Sequence, residues 1–488
     1  MQKDAQTKKN LIMYPLGAIG RDMMYALFSS YLLTYTMYTR SLTNAQLSAI
    51  TAIMVGARIF DALNDPIMGN SIERTRTKWG KFKPWLLAGI LSTSVVIYVI
   101  FNSNLDGWPF IWEFGIAYFM YSITYTMHDI SYWGMIPALS SDGDTRNMYT
   151  SRATLFGGIG STLAQILIPM LTAGSLALGG SSKTAYGIIA LVIAILGPVF
   201  LMFTLLGAKE RRDDESKPVP PLSFKKIVNT FTGNDQLVWI TIIFLFQQIG
   251  NNIVLNGIGN NYIYFEFGYD GSLYSLFTTV GMAATAVLMV FYPTISRKLS
   301  RNKMVNMALY IGIVGYIIQI CAGLFMATSK IKFFVITFGF MLANFAQYGL
   351  YLIMMISIIN TVEYNELKTG NRDEAIISSV RPFITKLASA LVVVVTSVTY
   401  MIVNATNFTN QISSLEQQAN QGLIDDVTKS GMIDSIISTV SKSQTNGLLI
   451  AMTIIPCIFM ILSCVLYKKK YILTEEKYAE ICKELKEN

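Results

Sequence analysis

Histidine is almost missing from this 488-residue chain: His128 is the only one, which excludes a multi-histidine metal centre. Cysteine is scarce as well. Cys321, Cys457, Cys464 and Cys482 show no CxxC spacing, and the first three lie inside apolar blocks, so neither a disulfide framework nor a zinc site is expected. Charge is low: 14% of residues are Asp, Glu, Lys or Arg, against roughly 25% in an ordinary soluble domain. With one histidine and scattered cysteines there is little from which to build a nucleophile–base or metal constellation, so no enzyme and no cofactor are expected. The N-terminus, MQKDAQTKKN, is polar and leads into a segment interrupted by Arg21 and Asp22. It lacks the uninterrupted apolar core and small-residue site of a cleaved signal peptide, so the first span is expected to be retained.

What the chain has instead is apolar residues, 52% of the total, with a mean hydropathy of +0.44. They come in blocks of the length needed to cross a bilayer, about 20 residues. Six such blocks fall near 12–38, 45–70, 84–103, 109–139, 149–174 and 185–207, and six more near 237–266, 272–295, 305–327, 332–361, 375–404 and 444–467. The expected architecture is an all-α membrane protein of twelve transmembrane helices in two six-helix halves, the outline of a duplicated transporter. Its parts are an N-terminal bundle (1–208), a charged central loop (209–236), a C-terminal bundle (237–467) with a polar insert at 405–443, and a tail (468–488). Within the insert, residues 431–440 read as a short amphipathic helix, and the tail from Tyr471 reads as a surface helix.

The net charge of +8 resides mostly in short loops, where it marks topology rather than a nucleic-acid surface. Arg74 to Lys83, Arg146, Lys209 to Lys226, Arg297 to Lys303, Lys368 with Arg372, and Lys468 to Lys470 all fall on one side. Both termini are therefore expected in the cytoplasm, with the 405–443 insert on the opposite face.

An Asp or Arg at the centre of a membrane helix costs about 2.5–3.5 kcal/mol on insertion scales, so those present are functional candidates. They are Arg21 and Asp22 on the first span; Arg58, Asp61 and Asp65 on the second; Asp129 on the fourth; Arg152 on the fifth; and Arg381 and Lys386 on the eleventh. Acids of spans one, two and four are expected to pair with bases of spans one, five and eleven. Arg21 and Arg58 could instead snorkel or fix helix ends, Arg381 sits near a span end, and Asp65 could cap one. Asp61 and Asp65 project from one helix face, and with Asn64 they supply three oxygen-bearing side chains suited to Na+; Thr126, one turn before Asp129, could add a hydroxyl. The same crowded carboxylates could carry a proton instead. Trp133, one turn beyond Asp129, offers an apolar plane beside carboxylates and an arginine, the usual way to hold a sugar ring; a core or interfacial tryptophan is the alternative. Asn251, Asn252, Asn256, Asn260 and Asn261 make the seventh span unusually polar, as a cavity wall or a gate.

The runs GRDMMY (20–25), RIFDALNDPIMG (58–69), TRTKWGKFKPW (75–85), YTMHDISYWGMIP (125–137), TSRATLFG (150–157) and VEYNELKTGNRDEAIISSVRPFITK (362–386) resemble the glycoside–pentoside–hexuronide:cation symporters, the major-facilitator branch that includes the melibiose permease. The resemblance covers almost the whole chain. It implies a cation site on Asp61, Asn64, Asp65 and Thr126 with Asp129 close by, and a sugar site on Asp22, Asp129, Trp133 and Arg152 with Arg21 and Lys386 nearby. It also implies an inner gate on Arg74, Arg76, Lys78, Lys81, Glu363, Glu366 and Arg372. His128 departs from the pattern, which has an apolar residue before the fourth-span acid, and the 405–443 insert is longer than the usual link. The function expected is import of a glycoside, oligosaccharide or hexuronide with Na+ or H+, by a monomeric unit in the cell membrane of a bacterium, with no nucleic-acid partner. A sodium-coupled lysolipid carrier would need an apolar, laterally open cavity; a non-transporting sugar receptor is the other alternative.

Overall fold

The computed structural model describes residues 5–140, 142–210, 224–371 and 373–487. Its helices run α1 (Ala5–Thr39), α2 (Asn44–Arg74), α3 (Lys83–Phe101), α4 (Gly107–Leu139), α5 (Gly143–Thr172) and α6 (Ser182–Gly207). They continue with α7 (Phe224–Gly233), α8 (Asp235–Asn252), α9 (Gly259–Phe267), α10 (Gly271–Lys298), α11 (Arg301–Phe325) and α12 (Lys330–Thr369). The chain ends with α13 (Glu374–Ile402), α14 (Ala405–Asn420), α15 (Asp426–Ser438), α16 (Lys442–Lys470) and α17 (Glu475–Glu487). Among the described residues there is no strand.

Eight helices are long and apolar enough to cross a membrane on their own: α3, α5, α6, α10, α11, α12, α13 and α16. A ninth is α2 when its two parts, bent by 41°, count as one span. Pro66 explains a bend there, because it has no N–H for the carbonyl one turn earlier. The remaining rods, α1, α4 and the α8–α9 pair, are less apolar because they carry Arg21 and Asp22, Asp129 with a run of tyrosines, and the glutamines and asparagines of 247–261. Together these make the expected twelve, six per half, among the described residues. The α8–α9 junction is a wide π-type turn, Val254–Ile258. Gly257 there has φ +117°, and a Cβ would come within 2.7 Å of the Tyr400 hydroxyl, so only glycine fits.

The chain divides into two compact units. One comprises Met1–Leu222, Tyr269–Ser275 and Asn404–Thr439, the other Ser223–Gly268, Leu276–Val403 and Val440–Asn488. Small residues set the packing of the first. A Cβ on Gly20 would lie 2.7 Å from the Gly197 Cα, and one on Gly160 would lie 2.2 Å from the Ile19 carbonyl oxygen, so α1 sits backbone-to-backbone against α6 and α5. The insert belongs to this unit and contains two helices where a single one at 431–440 is expected. The helix not foreseen, α14, buries Phe408, Ile412 and Leu415 at helical spacing. The Asn410 amide accepts from the Leu42 N–H and donates to its carbonyl, both at 2.8 Å, and Gln417 donates to the Thr39 carbonyl at 3.2 Å. In the second unit, α17 is docked rather than fully solvated: Ile481 is buried, and Glu475 accepts from the Arg301 amide at 2.5 Å.

Replacing Gly20 by Val should separate α1 from α6 and cost about 1–3 kcal/mol. In thermal unfolding of the purified protein this variant is expected to melt several degrees lower, while the same change at Gly158, which has open space around it, should leave the transition unmoved.

Candidate functional site

Two tyrosines fix the register of α1 against α4. Tyr14 and Tyr132 stack with centroids 4.5 Å apart, and each hydroxyl donates to the other's backbone carbonyl, at 2.7 and 2.9 Å. Two turns further along α1, this brings Arg21 level with residues 129–133 of α4. Arg21 is 4% exposed. Its guanidinium lies 2.7 Å from Asp22 and 3.3 Å from Asp129, and over the rings of Tyr132 and Trp133 at 4.7 and 4.8 Å. The contact to Asp129 is an ion pair without hydrogen-bond alignment, so Arg21 Nη1 keeps a buried donor unused. The acids themselves remain reachable, with side chains 23% and 35% exposed. Gly157 of α5 makes room for Asp22: a Cβ there would come within 2.0 Å of its carboxylate.

A second cluster joins α2 to α4 by two rungs. The Ser122 hydroxyl donates to Asp61, and one turn along both helices the Thr126 hydroxyl donates to Asp65 at 3.0 Å. Asp61 is 3% exposed and carries Arg58 3.4 Å from its other oxygen. Asn64, between the rungs, is buried with its Nδ2 unpartnered. The set is oxygen-rich. Among the described residues no three Asp, Glu, His or Cys converge as a multivalent metal site would need, and two carboxylates with hydroxyls suit a monovalent cation or a proton. Ser122, Thr126, Asp129 and Trp133 follow one another at three- and four-residue spacing on one face of α4, so a single helix face carries both clusters.

Several expected residues are placed differently. Asp129, expected at both sites, lies 3.3 Å from the Arg21 guanidinium. Arg152 does not pair with an acid among the described residues: it is exposed, and its guanidinium donates to the Leu11 carbonyl at 2.9 Å. The base that meets a second-span acid is Arg58, three residues from Asp61 on the same helix. Neither Arg58 in that role nor Ser122 was singled out from the sequence, although Ser122 lies one turn before Thr126. Lys386 is half-buried on α13, in the other unit.

Of the inner-gate candidates, Arg74, Arg76 and Lys78 are exposed in the α2–α3 hairpin. Arg76 donates to the Glu73 and Thr75 carbonyls, and Lys81 pairs with Glu73 at 3.2 Å. Glu210 ties the hairpin down by accepting from the amides of Lys81 and Lys83 at 2.9 and 3.2 Å; burial pushes its carboxyl up, against those hydrogen bonds. Glu363 and Glu366 are half-buried at the end of α12 in the second unit, and Arg372 lies outside the described residues. His128 is fully buried, with both ring nitrogens unpartnered and its backbone against Gly89 of α3.

Paired charges and hydroxyls inside long apolar helices mark a polar functional site within a membrane protein. The solved structure of a bacterial homologue of the human lysosomal transporter Spinster has the same fold, with a TM-score of 0.62 over 98% of this chain and 97% of that one at 12% identity. The chain belongs to the MFS/sugar transport protein family, whose model matches residues 13–475. It is a sugar symporter, not an enzyme, and the resemblance carried by its motifs holds. It is similar to a lactose permease of Leuconostoc lactis, 28% identical over 97% of this chain and 71% of that protein. A raffinose carrier protein of Pediococcus pentosaceus is 25% identical over the same shares.

Arg21→Gln should leave two carboxylates facing each other without their counter-ion. The expected loss is about 2–3 kcal/mol, below the 3–5 of a fully buried pair because Asp129 is partly solvated. Arg21→Gln with Asp22→Asn should recover part of it, a coupling readable in a double-mutant cycle of thermal unfolding.

Proposed function

We propose that the chain imports a neutral glycoside or short oligosaccharide in symport with a monovalent cation, Na+ or H+. The observation that carries this reading is the shared face of α4. Ser122 and Thr126 meet the acids of α2, while Asp129 and Trp133 meet Arg21 of α1. The cation would lie against Asp61, Asn64, Asp65 and Thr126. The sugar would hydrogen-bond to Asp22, Asp129 and the unused Arg21 donor, and rest on the Trp133 ring. The relatives named above carry lactose and raffinose, both uncharged, which favours a neutral sugar over a hexuronide. Arg152 would join the sugar site only by leaving the Leu11 carbonyl, and Lys386 is carried as a further candidate for it. The basic hairpin of α2–α3 and the acidic end of α12 would form the inner gate. The working unit is taken as one chain in a bacterial plasma membrane, termini in the cytoplasm, without nucleic-acid partners.

Asp61→Cys should abolish Na+-stimulated uptake of labelled sugar in proteoliposomes; unchanged stimulation would remove Asp61 from the cation site. A thermal-shift panel of α- and β-galactosides, xylosides and glucuronides, each with and without Na+, is expected to show a neutral sugar whose stabilisation grows when Na+ is present. If the stabilisation grows with falling pH and ignores Na+, the coupling ion is the proton.

A further inference from the structure

Helix α10 of the second unit closes on α12 at one level and stands away from it at the next. Around Gly281 the two are tight. A Cβ there would come within 2.2 Å of the Phe340 ring, and the Asn344 amide donates to the Gly281 carbonyl at 3.3 Å and to the Thr285 hydroxyl at 3.1 Å. From Leu288 onward a gap of about 70 Å³ opens between α10, α11 and α12. Its walls are apolar, with Leu288 and Ile295 on α10, Met307 and Ile311 on α11, and Gly349 and Ile353 on α12. Gly349 helps to keep it open, because a Cβ built on it meets nothing nearer than Leu288 at 3.7 Å. At the end of the gap the chain turns from α10 into α11 and becomes basic. Lys298 follows Ile295 by three residues and Lys303 precedes Met307 by four, so each stands one turn beyond a wall residue on its own helix face. Both are exposed, as is Arg297, and none of the three has an acid partner among the described residues. Arg301, between them, differs: it is buried and pairs with Glu475 at 3.3 Å, so that carboxylate is already spent.

We propose that this gap holds one acyl chain of an anionic phospholipid from the surrounding bilayer, with the lipid phosphodiester against Lys298 and Lys303. Met307 is itself exposed, so the gap opens on the surface of the unit, where Val287, Phe291 and Tyr310 continue an apolar face along two membrane-spanning helices. Its run along α10, from Leu288 to Leu299, is about 16 Å at 1.5 Å per residue, close to half of the roughly 30 Å hydrocarbon core. A chain belonging to one leaflet has that reach. The gap is too narrow for a partner helix, roughly 10 Å across with its side chains, and admits a chain one methylene wide. The lysines at its mouth choose the headgroup. A phosphodiester without a counter-charge of its own answers them, whereas a zwitterionic headgroup brings a further cation to a site already rich in them.

Native mass spectrometry of the purified full chain, delipidated in detergent, compares dioleoyl phosphatidylglycerol with dioleoyl phosphatidylcholine. The chain is expected to retain one phosphatidylglycerol with a preference of about twentyfold, near fivefold for each lysine. Lys298→Gln combined with Lys303→Gln should bring the two lipids level. Lys468→Gln combined with Lys469→Gln removes the same charge from the exposed end of α16 and should leave the preference in place. Gly349→Leu fills the gap from α12 and should abolish retention of phosphatidylglycerol. Met307→Trp fills it from the exposed wall and should do the same, so the result does not depend on one variant folding. Equal retention of the two lipids by the parent chain overturns the proposal. A preference lost equally in the α16 variant also overturns it, as diffuse attraction to a basic surface. Phosphatidylglycerol kept by both gap-filling variants, or glycerol 3-phosphate retained in its place, overturns it as well, since the lysines would then bind a phosphate without the chain.

Discussion

A guanidinium taken out of water has to be paired, and the central region of the first unit is arranged around that requirement at Arg21. Its charge is answered by Asp22 from its own helix and Asp129 from α4, and its flat faces by Tyr132 and Trp133. The contacts to Asp129, Tyr132 and Trp133 depend on the register of α1 along α4. The reciprocal Tyr14–Tyr132 hydrogen bonds fix that register, and the glycines of α5 and α6 hold the other side of α1 at backbone distance. Close packing and the ion cluster are thus one constraint. The cluster needs an exact register, and only small residues let the helices approach closely enough to enforce it.

The same logic explains what was legible in the sequence. Charges inside apolar blocks are expensive, so cost alone pointed to Arg21, Asp22, Asp61, Asp65 and Asp129, and the spacing of 61 and 65 gave a common helix face. Partners were harder to read. Arg152 looks like a cavity base in a one-dimensional list, yet a backbone carbonyl, Leu11, takes its guanidinium instead; carbonyls are everywhere and leave no mark in a sequence. Ser122 was passed over because a serine costs little in a membrane helix and so raises no alarm, although its spacing from Thr126 repeats that of Asp61 from Asp65. The twelve rods follow from apolar length and survive even where α1 and α4 lose hydropathy to their function. Helix α14 was missed for the opposite reason: three large apolar residues in sixteen, Phe408, Ile412 and Leu415, are a faint signal unless read at helical spacing.

The shared face of α4 suggests why two ligands should depend on each other. Arg58 lies 3.4 Å from Asp61 in the cluster that holds Asp65, and Arg21 lies against both Asp22 and Asp129. In the reading proposed above, a monovalent cation sits at the first cluster and the hydroxyls of a neutral sugar at the second. Because one face of α4 contributes to both, a small rotation of that helix that tightens the rungs to α2 also re-aims Asp129 and Trp133. Neither ligand can shift the transporter between its states by more than its difference in affinity for them. Two ligands sharing one rigid helix can add their differences. Coupling would then need no relay beyond α4 itself, since the helix proposed to order the cation site is also the proposed wall of the sugar site.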